Sequence, residues 1–170
     1  MKLHSLNDLF IYLLCDIYNF ENKILTELPK MLKKVDSQEL KEGIQHHLAE
    51  TKNQVKRLDQ VFKLIHSAPK KLEWTQDVDV LFADANAFLT ENSPSPVLDA
   101  AIITICQRVE HYEIATYGTL IAFADAMDNS EVKKILKETI KEESHADELL
   151  TKVAEGGIFK AGVNTEATRR

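Results

Sequence analysis

Val109-Glu110-His111-Tyr112-Glu113-Ile114-Ala115-Thr116-Tyr117-Gly118 sets two glutamates one helical turn apart inside an apolar run of helical period. At about 100° per residue, Glu113 lies roughly 40° from the centre of the segment's apolar stripe. Tyr117 follows one turn later on the same face, and Glu110 sits on the flank. An ionised carboxylate on a core-facing stripe is costly to bury unless something neutralises it. The segment therefore reads as a helix carrying chemistry on its inner face.

The chain outward from this stretch is organised as helical hairpins. The segment opens at Ser95-Pro96, a cap followed by proline at the first helical position, and runs to about Met127. Asp128-Asn129-Ser130 reads as a tight turn, with Ser130 capping a segment from Glu131 to about Glu155 that Gly156-Gly157 ends. Upstream, Ser5 caps a segment to Lys34 whose last turns Pro29 kinks or tightens, and Ser37 caps the next. Only Val35 and Asp36 separate these two, which makes them an antiparallel pair. Between the hairpins lie a loop from Ser67 to Trp74 and a short helix capped by Thr75, with Val78, Leu81, Phe82, Phe88 and Leu89 on its apolar face. Phe82 and Phe88 are expected to pack on the bundle or on a second subunit. A connection of roughly thirty residues lets the chain cross the bundle, so that the third long helix runs parallel to the second. The expected fold is all-α, a ferritin-like four-helix bundle over residues 1–155 with a short fifth helix in its crossover. Residues 156–170 are expected to form a flexible tail.

Composition supports helices and removes other classes. Of five glycines in 170 residues, only Gly43 and Gly118 precede position 156, too few for a β domain or a phosphate-binding loop. The net charge of −6 and the absence of a basic run predict no nucleic-acid or anionic-membrane partner. Cys15 and Cys106 stand outside any paired framework and are expected as buried thiols in a reducing compartment. No leader or bilayer-length apolar run is evident, so a cytoplasmic location is expected.

The other long segments repeat the pattern. Glu21 lies roughly 35°, and Glu143 roughly 30°, from the centre of its own stripe. Glu21 and Glu50 are equally far from the first turn, and Glu113 and Glu143 from the second, so one glutamate per helix reaches mid-height. Glu50 sits on a flank, whereas His47, Thr51 and Gln54 hold the centre of the second stripe. Either His47 or Gln54 supplies a further ligand or a hydrogen bond to one; alternatively His47 is a core-edge histidine bonded to a carboxylate. Tyr117 hydrogen-bonds a ligand, donates an electron, or is structural. Glu142-x-x-His145 has ligand spacing but points away, and is expected to be solvated. Two divalent cations would balance four carboxylates, and oxygen donors with at most an imidazole favour iron or manganese.

The opening stretch, together with Leu14-Cys15-Asp16-Ile17-Tyr18-Asn19-Phe20-Glu21, His47-Leu48-Ala49-Glu50-Thr51-Lys52-Asn53-Gln54-Val55 and Leu136-Lys137-Glu138-Thr139-Ile140-Lys141-Glu142-Glu143, resembles the YciE/YciF family of bacterial stress-associated proteins. The resemblance implies membership of the ferritin-like superfamily, kinship with rubrerythrins and a di-metal carboxylate site. It makes Glu21, Glu50, Glu110, Glu113 and Glu143 candidate ligands. Gln54 and Asp147 fall where such sites more often use histidine. The expectation is a cytoplasmic stress protein holding two iron (or manganese) ions and reacting with oxygen, peroxide or ferrous iron. Without a Cys₄ iron domain it needs an external electron donor, and without a long C-terminal helix a homodimer is expected rather than a cage. The alternative is a non-enzymatic structural stress protein whose metal site is only stabilising or unused.

Overall fold

Serine hydroxyls start three of the long helices. Ser5, Ser37 and Ser95 accept the backbone N–H of Asp8, Leu40 and Leu98 at 3.1, 3.3 and 3.2 Å. Each hydroxyl satisfies one of the amides that a helix leaves unpaired at its start. The helices that follow in the computed structural model are α1 (Leu6–Leu32), α2 (Gln38–Leu64) and α4 (Pro96–Ala126), with α3 (Gln76–Glu91) in the crossover and α5 (Ser130–Glu155) completing the bundle. The structure describes residues 2–72, 76–157 and 160–169. Trp74 and the expected cap Thr75 lie outside the described residues, as does the side chain of Val78.

Packing directions follow from named contacts. Asp99, near the start of α4, accepts the N–H groups of Asp36 and Ser37 at 2.9 and 2.7 Å. Further along, His47 of α2 faces Glu110 of α4, so α4 runs parallel to α2. The crossover therefore traverses the bundle as its length suggests. Met31 meets Cys106 and Glu21 meets Tyr117, which makes α1 antiparallel to α4. Around the bundle the order is α1, α2, α5, α4. Asp99 also places a carboxylate at the N-terminus of α2, where the helix dipole favours an anion.

The core is aliphatic and aromatic on both sides of mid-height, and its buried members include Phe10, Leu14, Ile17 and Phe20 of α1 and Ile102, Ile105 and Leu120 of α4. α3 seals one flank through Phe82, whose ring lies 5.7 Å from that of Phe20. Phe88, by contrast, is 40% exposed and does not join the bundle. No helix among the described residues is long and apolar enough to cross a membrane.

Two details differ from the sequence reading. The cap of α5 is Asn129, whose side chain accepts the Val132 N–H at 3.2 Å, and Ser130 is already helical. Asp128 takes φ 55° and tightens the turn by one residue, which leaves Asn129 at the cap position. Beyond Glu155, residues expected to be loose fold back. Gly156 adopts φ 79°, strand β1 (Gly156–Gly157) pairs with β2 (Lys160–Ala161), and α6 (Val163–Ala167) packs on α4 and α5 with Val163 buried. Buried Val163, the β1–β2 pairing and the Lys160 ammonium on Glu39 of α2 together hold this segment against the bundle.

Candidate metal centre

At mid-height the four long helices turn charged and polar groups inward where the core pattern would place leucines. Glu21, Glu113 and Glu143 are completely buried, and Glu110 and His47 nearly so. One ligating atom from each of His47, Glu110, Glu113 and Glu143 lies within 4.8 Å of all the others. The imidazole sits between two carboxylates, Nε2 3.6 Å from Glu110 and Nδ1 3.7 Å from Glu143. Glu21 adjoins Glu113 and accepts the Tyr117 hydroxyl at 2.5 Å. Thr51 uses its hydroxyl on the His47 carbonyl at 2.9 Å, so it contributes no donor to the centre.

These groups are starved of partners. Both oxygens of Glu113 and of Glu143, one each of Glu21 and Glu110, and both ring nitrogens of His47 are buried without a hydrogen bond. Each such atom costs about 1–3 kcal/mol if left so, and a folded core rarely tolerates more than a few. Protons or cations must therefore complete the set. Burial pushes the Glu21 carboxyl up to about 7, against the pull of the Tyr117 bond, and the Glu110 carboxyl up to about 8. Glu113 rises well above the usual range from burial, then from repulsion by Glu143, Glu21 and Glu110. Burial likewise raises Glu143 well above that range, reinforced by its acidic neighbours. The same burial lowers His47 to about 4, which keeps its imidazole neutral and in the form that binds metals. Four carboxylates and one neutral imidazole are a hard, oxygen-rich donor set. Cys106, pushed up to about 12 by burial, stays protonated and adds no thiolate.

The remaining candidates surround this cluster. Glu50 lies outside it, on the flank of α2, with Oε2 3.1 Å from His46 Nδ1. The inward position of α2 belongs to His47 instead. Gln54 is buried and donates to Glu142 at 3.0 Å, leaving its own carbonyl oxygen without a partner. Asp147 stands one turn beyond Glu143, its buried Oδ1 3.5 Å from the exposed ring of His111. His145 is exposed, as the sequence suggests, but Glu142 is not simply solvated. Arg57 grips it with two hydrogen bonds of 2.6 and 2.5 Å and closes the end of the centre facing the α4–α5 turn. Arg57 escaped the sequence reading because its partner lies on another helix; its place one turn beyond Gln54 was the available signal.

Comparison with known proteins agrees with this architecture. The family described as "Domain of unknown function (DUF892)" matches residues 5–167. Protein YciF of Escherichia coli is 34% identical over 164 residues, covering 96% of this chain and 99% of its own. The crystal structure of that protein, described as a stress protein, superposes with a TM-score of 0.81 at 30% identity over 99% of this chain and 100% of its own. YcfI from Rhodopseudomonas palustris, described as a putative structural protein, gives 0.84 at 38% identity over 90% of this chain and 97% of its own.

Proposed function

The chain belongs to the DUF892 family, and on that premise we propose that its buried carboxylate cluster is a ferritin-like centre for two divalent ions, iron or manganese. The observation that carries this reading is the set of unpartnered donor atoms on Glu21, His47, Glu110, Glu113 and Glu143, drawn from all four long helices. Two divalent cations would balance the four carboxylates and leave His47 neutral, without the proton uptake the metal-free cluster needs. Resident iron or manganese would supply redox chemistry and Lewis acidity toward dioxygen, peroxide or added ferrous iron. The description of YciF as a stress protein supports placing that chemistry in a stress response.

The chain's own groups then have distinct tasks. Tyr117 holds one oxygen of Glu21 and so orients the other toward the cluster. Arg57, through Glu142 and Gln54, shuts out bulk water at one end. An external electron donor, if the centre turns over, and a homodimer are part of this proposal. The second reading, a structural stress protein in which metal only ties the helices together, draws on the description of YcfI.

Aerobic addition of ferrous iron to the metal-free protein separates the two. Growth of near-ultraviolet absorption with consumption of dioxygen or peroxide supports the oxidoreductase. Tight metal binding without consumption supports the structural reading. Absence of binding refutes the metal centre and leaves a structural protein whose site is unused.

A further inference from the structure

A smaller pocket reaches His47 and Glu110 past Ile24, Glu27 and Phe82, and a larger one reaches them between α2, α4 and α5. Its walls are largely apolar, formed by Leu28, Ile44, Cys106, Leu149 and Leu150. Its floor is His47 and Glu110, whose buried atoms lack hydrogen-bond partners. Its rim carries His46, Glu50 and His145. Adjacent residues thus face opposite ways, with His46 exposed to solvent and His47 turned into the centre. Glu50 follows His46 by one helical turn and lies within 3.1 Å of it, while His145 approaches from α5.

The size of the passage matters. The cavity measures about 20 Å³, space for about one water molecule. A divalent ion carries a full shell of waters and cannot enter such a space with that shell intact. It has to exchange waters for protein ligands before it passes the apolar walls. Two imidazoles and a carboxylate at the rim are suited to this, because they stay partly hydrated and bind weakly.

We infer that His46, Glu50 and His145 form a loading site for divalent cations at the mouth of a passage whose inner end is His47 and Glu110. The inference rests on the metal-centre reading above and assigns Glu50 a role in entry rather than in the centre. Rim ligands set the rate of exchange and leave the equilibrium of the buried site untouched.

Stopped-flow mixing of the chelator-treated full-length chain with Co(II) alone, followed by visible absorbance, tests this. The surface variant His46→Gln/Glu50→Gln, with and without His145→Gln, should take up cobalt roughly tenfold or more slowly. Release to excess chelator should slow by the same factor, with stoichiometry and affinity unchanged. An unaltered uptake rate overturns the loading site. A lost equivalent of tight binding overturns it too, by making Glu50 a ligand of the centre. Wild-type protein that binds no cobalt refutes the metal reading itself and removes this inference with it.

Discussion

Replacing Glu113 by glutamine should stabilise the metal-free protein while damaging the metal-bound one. Both Glu113 oxygens are buried without a partner, and burial, reinforced by three other glutamates, raises its carboxyl well above the usual range. In the unfolded chain the same group titrates near 4.5. A carboxyl whose folded pKa is raised contributes its stability below the unfolded value and loses it as pH rises toward the folded one. Over that window the folded state holds one more proton than the unfolded state, which costs about 1.4 kcal/mol per pH unit. While pH lies between the two values, the Glu113 contribution falls at that rate. The amide of Glu113→Gln is nearly isosteric, never ionises and can donate to Glu21 or Glu143. The variant should match wild type near pH 5 and gain on it toward pH 7 by up to about 1.4 kcal/mol per pH unit, roughly 3–6 °C in Tm per unit for a chain of this size. Mn(II) at about a thousand times its Kd should reverse the order, since it then stabilises wild type by about 4.1 kcal/mol while the variant lacks a ligand. Calorimetry of chelated and metal-supplemented samples at both pH values measures each term. A variant less stable than wild type at pH 7 without metal, or an equal metal-induced shift in both proteins, would refute the reasoning.

Other perturbations separate the centre from its scaffold. Tyr117→Phe strips Glu21 of its one hydroxyl partner and should cost about 1–3 kcal/mol in urea unfolding of the metal-free chain; an unshifted midpoint contradicts the bond. Asp99→Ala frees the Asp36 and Ser37 amides and should cost a similar 1–3 kcal/mol, roughly, while metal stoichiometry stays that of wild type. A change in stoichiometry would mean that the α1–α2 turn, far from the cluster, controls it. Across pH 5–7 metal-free wild type should lose stability steadily, because Glu21 and Glu110 are also raised, to about 7 and about 8. Thermal melts that stay flat or improve over that range count against the buried acids.

The bundle was legible because helix periodicity, serine caps and connection lengths are local or nearly local signals. Glu21, Glu113 and Glu143 stood out for a related reason: each lies near the centre of an apolar stripe, where burial follows from the helix alone. Glu50 and His47 show where that logic needs care. Equal distance from the turn favoured Glu50, yet the stripe centre belonged to His47, and the angular position decides which side chain faces the core. The Arg57–Glu142 pair and the Asp99 clamp join residues on different elements, and their meeting depends on the register between helices, which no single periodicity encodes. The same holds for the tail, whose buried Val163 and Lys160–Glu39 ion pair depend on residues far away in sequence.

Elemental analysis of the chain purified without chelator decides whether the buried acids and His47 hold divalent metal. About two iron or manganese ions per chain are expected in the wild type, and loss of most of them in Glu113→Ala/Glu143→Ala protein that keeps its helical circular dichroism. A folded wild-type chain with no more metal than that variant would contradict that expectation.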